Sequence, residues 1–185
     1  MNNEFFIQDA PDIWKGKNFR NDQHFSNLVI SFSLEHQEIN FRKVLIEIID
    51  YPCTVVIDEL FALEEDIANR LKVKRTNITL IATINSKIQF ENIVPIIYIN
   101  ALHGMEIDII IGRENKEVSF DDLFGSDLRN DIVYPKLNAE EVETFLKITE
   151  IGIIVQTVNE RKNTPNKLLP FMPTDLILNR EDSDL

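Results

Sequence analysis

Apolar and polar residues alternate along this chain with two different periods, and the period changes several times. Leu28, Ile30, Phe32 and Leu34 interleave with Val29, Ser31 and Ser33, the two-residue repeat of a strand. Phe41, Val44, Leu45, Ile48 and Ile49 recur at the spacing of one helical face, with Asn40 or the residues just upstream as cap and Pro52 as the stop. Residues 53–57 form a short continuous apolar run, which predicts a buried strand. Leu60, Leu63, Ile67, Ala68 and Leu71 form a second helical stripe. Residues 77–84 and 93–99 read as strands, and Pro95 assigns the latter to a sheet edge or a strand start. Ile107, Ile109 and Ile111 line one face of a strand over 106–111, Gly112 to Asn115 form a turn, and residues 117–120 return. That is an antiparallel hairpin with one wet face. Residues 121–137 read as loop. Asn138 and Glu141 give a helix-start signature, followed by Val142, Phe145, Leu146 and Thr149 at helical spacing. Gly152 breaks that helix, and 153–158 reads as a further strand.

Strands and helices therefore alternate, and several strands are apolar throughout. The expected fold is a single α/β domain with a mixed, mostly parallel sheet flanked by helices and an antiparallel hairpin near 106–120. Residues 27–158 form the expected core. Residues 1–26 read as an arm docking Phe5, Phe6, Trp14, Phe19 and Phe25 on it, and residues 159–185 as a C-terminal arm and tail.

Composition narrows the class. The chain has 185 residues, enough to bury a sizeable core without a staple. The single cysteine, Cys53, excludes an internal disulfide and fits a reducing compartment. Cys53 lies in an apolar run and reads as a buried small hydrophobe. The N-terminus lacks the basic-then-apolar pattern of a secretory signal, and no apolar stretch approaches the ~18 residues of a membrane span. A soluble, cytoplasmic protein without membrane association is expected. Five glycines, widely scattered, leave no phosphate-cradling loop.

Charge changes the picture most. The net charge is −12, and residues 104–143 alone hold eleven acids against four bases. Such a field repels nucleic-acid phosphates, so no direct nucleic-acid binding is expected. A basic protein partner fits it.

Candidate chemistry is sparse. Residues 55–59, Val-Val-Ile-Asp-Glu, resemble the magnesium-holding strand of P-loop ATPases, but the glycine-rich partner motif of that family is missing. Acids also suit the start of a following helix, where free backbone N–H groups favour negative charge. Asp58 and Glu59 stay candidates because ligands bind at strand ends in open α/β sheets. His103, with Glu106 and Asp108 nearby, places an imidazole beside two carboxylates, which suits acid–base work or a metal and equally a solvated strand face. Asp108 with Glu114 and Lys116 resembles the acid-then-Glu-x-Lys pattern of metal-dependent nucleases, at a spacing that puts Glu114 in a turn. The weak catalytic candidates are thus Asp58, Glu59, His103 and Asp108, and no cofactor or resident metal is expected.

The most distinctive segment runs from Glu117 to Pro135. Its acids Glu117, Asp121, Asp122, Asp127 and Asp131 interleave with Phe120 and Phe124. Apolar anchors would bury in a partner while carboxylates steer association. The reading that follows is a non-catalytic acidic protein engaging a basic protein partner, as an inhibitor, an immunity or antitoxin-like protein, or a mimic of nucleic acid. The alternatives are a metal-dependent hydrolase or nucleotide-binding α/β enzyme using Asp58 and Glu59, and a structural subunit of a larger assembly.

Overall fold

A computed structural model describes residues 4–9, 25–32, 34, 38–76, 78–118, 140–172 and 177–179. The strands are β1 (Glu4–Asp9), β2 (Ser26–Ser31), β3 (Cys53–Asp58), β4 (Lys72–Arg75), β5 (Thr79–Ile84), β6 (Ile107–Gly112), β7 (Val142–Thr149), β8 (Gly152–Thr157) and β9 (Ile177–Asn179). The helices are α1 (Glu38–Ile48), α2 (Glu65–Ala68), α3 (Lys87–Leu102) and α4 (Pro165–Leu168). The strands form one sheet in the order β4-β5-β3-β6-β7-β8-β2-β1-β9. Every neighbouring pair is antiparallel except β1 and β9 at one edge. Both chain ends thus add strands to the same edge.

This corrects the mostly parallel α/β sheet expected from the pattern. The apolar runs misled because the central strands are buried on both faces. β5 and β6 are buried at every position. On one face, Val55, Ile57, Leu80, Ile84, Ile107, Ile109, Leu146 and Ile153 pack under α1 and α3. On the other, Val56, Ile81, Ile110 and Phe145 meet Phe25, Val118 and Val142 in a smaller cluster. Two-sided burial erases the alternation that normally marks antiparallel strands, and it mimics a parallel sheet.

The expected hairpin near 106–120 is also corrected. β6 is real, but its partners are β3 and β7. Glu117 and Val118 lie outside any strand. Residues 93–99 belong to α3 rather than to a strand. Ser86 caps that helix by accepting a hydrogen bond from Gln89 N–H, and Pro95 sits on its exposed side. The carbonyl that Pro95 leaves without a helical donor there can meet water. The helical stripe over 60–71 contracts to the single turn of α2. Residues 142–149 form β7 instead of a helix. The set Val142, Phe145, Leu146 and Thr149 satisfies helical spacing, but Leu146 and Ile148 alternate with Phe145 and Lys147 equally well, and pairing with both β6 and β8 selects the strand.

Two further features hold the layers together. Lys162 is almost wholly buried, donates to the Ile48 carbonyl and to Asp50, and lies over the Phe171 ring. Cys53 is buried in the main core, and burial raises its thiol pKa, so it is an unreactive packing residue.

Candidate functional site

The sheet end that carries Asp58 is assembled from three connections. α3 stops in a glycine cap: Gly104 takes a positive φ of 77°, its N–H reaches the Ala101 carbonyl, and Met105 N–H reaches Asn100. That cap turns the chain so that Glu106 arrives beside Asp58, whose N–H donates to the Glu106 carbonyl at 3.3 Å. β6 then runs antiparallel to β3 with Asp108 opposite Val56, and antiparallel to β7 with Asp108 opposite Lys147.

Residues two apart share a face in strands, so Asp58, Glu106, Asp108 and Lys147 all lie on the face opposite α1 and α3. Thr79, opposite Asp58 in β5, joins them and donates its hydroxyl to Asp58 Oδ1 at 2.9 Å. Lys147 Nζ reaches Glu106 Oε2 at 2.7 Å. Asp108 is only 6% exposed, and its Oδ1 is buried with no hydrogen-bond partner among the described residues. Burial pushes its carboxyl up to about 7, the Lys147 ammonium partly offsets this, and the Glu106 and Asp58 carboxylates add to it. Burial likewise raises Asp58, against the stabilising Thr79 hydroxyl. The result is three carboxyl groups around one ammonium, with the innermost holding its proton near neutrality.

The other two catalytic candidates do not join this cluster. Glu59 faces its own loop: Oε1 accepts from Leu63 N–H at 3.0 Å, and Oε2 lies 3.4 Å from Arg75 Nε. Arg75 also donates to the Leu63 carbonyl. His103 is exposed at the end of α3, its Nδ1 is 2.8 Å from the Ile99 carbonyl, and its ring meets the Phe61 ring edge-on at 4.8 Å. Since a carbonyl only accepts, Nδ1 carries the proton. Glu114 pairs with Lys116 beyond the far end of β6 from Asp108, so the nuclease-like triplet is not brought together. Among the described residues no group of three or more His, Cys, Asp or Glu side chains is placed to hold a metal ion.

Of the expected partner-binding residues, Glu117 is described, and its Oε1 accepts from Lys72 Nζ at 2.6 Å. Phe120, Asp121, Asp122, Phe124, Asp127 and Asp131 lie outside the described residues. The pattern alone missed Lys147, Thr79 and Asn100. Lys147 lies in a stretch whose spacing predicts a helix, Thr79 is an ordinary polar residue whose role comes from cross-sheet pairing, and Asn100 gains its role from the docking of α3 behind the turn.

Asn100 is the organising residue of the turn after β3. It is fully buried, and its Oδ1 accepts from Leu60 N–H at 2.8 Å and Phe61 N–H at 2.9 Å. Its Nδ2 donates to the carbonyls of Phe61 and Ile96, each at 2.9 Å. Every bond its amide needs is thus made inside the protein. Asn100→Ala removes a buried amide and leaves the Leu60 and Phe61 N–H groups and the Phe61 carbonyl without it, and is expected to cost about 2 kcal/mol in urea unfolding; a loss below about 0.5 kcal/mol would show that the turn is held by other contacts.

Compared with protein families, with curated proteins and with solved structures, the chain shows no match. No described helix is long and apolar enough to cross a membrane.

Proposed function

We propose that the chain is a non-catalytic acidic binding protein that engages a basic protein partner, in the manner of an inhibitor, an immunity protein or an antitoxin, or as an acidic mimic of nucleic acid. The observation that carries this reading is the acid surplus: 31 acids against 19 bases, concentrated in residues 104–143. A surplus of that size raises the association rate with a cationic partner and disfavours anionic ones. The fate of the catalytic candidates supports it. Glu59 and His103 serve the turn after β3, and Asp108 is sealed among its neighbours. The expected partner is captured from the native organism and identified by mass spectrometry. Replacing Asp121, Asp122, Asp127 and Asp131 together by lysine is expected to weaken that complex at least about tenfold. Retention of every partner at full affinity would overturn the reading.

One observation favours a second reading, an enzyme working through Asp58. Asp58 and Asp108 share a face of the sheet, and the raised Asp108 carboxyl suits proton transfer near neutral pH. Calorimetric titration with magnesium, lost on Asp58→Asn, would favour that reading over binding alone.

A further inference from the structure

The turn that follows β3 presents apolar side chains to solvent from an unusually well-held backbone. Leu60 is 56% exposed and Phe61 38%. Ile78, whose carbonyl accepts from Glu59 N–H at 2.7 Å, is 40% exposed. The Phe61 ring is braced by His103. Beneath them, Asn100 makes four hydrogen bonds, two of them to Phe61 itself and one to Leu60. Glu59 and Arg75 hold Leu63 from both of its backbone groups, and the Leu63 side chain is buried in the main core. Buried polar bonding and a core anchor thus fix a loop whose outward residues are apolar. Rigid presentation of apolar anchors lowers the entropy lost on binding, and loops on a rigid scaffold are where recognition is concentrated.

The charge around these anchors selects the occupant. Between Asp58 and Asp66 there are five acids and no base. Glu64, Glu65 and Asp66 are exposed and form no ion pair among the described residues. The neighbouring cations are engaged elsewhere in part: Arg75 is held by Glu59 and Leu63, and Lys72 by Glu117. We infer that the turn 59–66, with Ile78, is a docking surface for a basic segment of a partner protein. That segment sets an apolar side chain on Leu60 and Phe61 and its cations against Glu64, Glu65 and Asp66. The inference rests on the reading of an acidic binding protein and assigns it a second contact segment, residues 59–66 with Ile78.

The test uses the full chain and two labelled probe peptides, one alternating lysine with leucine and one of lysine alone, read by fluorescence anisotropy. The wild-type chain is expected to bind the lysine–leucine peptide at least about tenfold more tightly than polylysine. Leu60→Ser with Phe61→Ser is expected to remove that preference. The bonds of Asn100 to this turn are made by backbone groups, so an unchanged circular dichroism spectrum is expected for this variant. A second variant, Glu64→Lys with Glu65→Lys and Asp66→Lys, is expected to weaken both peptides. Equal binding of the two peptides to the wild type, or an unaltered preference in the Leu60–Phe61 variant, would overturn the docking surface. If the 121–131 charge reversal alone abolishes binding, this surface fails while the acidic-binder reading stands. If no cationic probe binds any form, both fail. Concentration-dependent dimerisation in sedimentation, lost in the Leu60–Phe61 variant, would assign the patch to a second copy of the chain and overturn the basic partner.

Discussion

Asp108→Asn is expected to make this protein more stable at neutral and alkaline pH, by an amount that grows from about pH 4 to about pH 7 and is constant above. The folded chain holds the Asp108 carboxyl at about 7, above its ordinary value of 3.8. Between those two values the folded state binds a proton that the unfolded chain has released. Stability therefore falls as pH rises through this window, and the full penalty is present above about pH 7. Below about pH 4 both states are protonated and the penalty vanishes. At 1.36 kcal/mol for each pKa unit the difference amounts to up to about 4 kcal/mol. The cause is local and specific: a nine-tenths buried carboxyl between Asp58 and Glu106, with one oxygen unpartnered among the described residues and Lys147 already engaged by Glu106. Asparagine removes the charge at nearly constant volume. Urea unfolding of both forms from about pH 4 to about pH 8 checks this. A stability difference that stays flat across the range would show that Asp108 ionises freely.

Replacement of Gly152 is expected to damage the sheet severely. Gly152 opens β8 at the end of the short turn from β7, opposite Thr149 on one side and Ser31 on the other. Its φ is +146°, and a Cβ built there lies 2.2 Å from the Ile30 carbonyl oxygen. That atom is backbone, one pair in from the Ser31–Gly152 end of the β2–β8 ladder, and β2 is held on its other side by β1, so it cannot swing aside as a side-chain end could. Gly152→Ala forces β2 and β8 apart locally and strains the backbone, and is expected to cost about 4 kcal/mol. Denaturant unfolding monitored by tryptophan fluorescence and by circular dichroism gives the value. A loss under about 1 kcal/mol would mean that the hairpin relaxes without disturbing β2.

The same glycine shows what the chain reveals before folding. The break at Gly152, the strand that follows it, the α1 stripe from Phe41 to Ile48, and the runs that became β3, β5 and β6 are all legible as periodicity. Strand direction was not legible. Periodicity reports how many faces are buried, and β5 and β6 are buried on both. α3 hid behind Pro95, although Ser86 and Gln89 form a readable cap. β7 hid because Val142, Phe145 and Leu146 fit two periods, and only the neighbours on each side decide between them. The candidate site was half legible for the same reason. Asp58 and Asp108 stand out as acids beside apolar runs, but their shared face follows from the β3–β6 pairing. Lys147 enters through the β6–β7 pairing, and Asn100 through the docking of α3 behind the turn. Glu59 carried the same sequence signal as Asp58, and alternation along the chain turned it the other way, toward Leu63 and Arg75.

The acidic-binder account is tested most directly by the salt dependence of association between the wild-type chain and its captured basic partner. Stopped-flow association rates measured from low to high ionic strength are expected to fall steeply, by about tenfold or more, while dissociation changes little. An association rate that does not respond to salt would contradict the account, because the acid surplus would then contribute nothing to recognition.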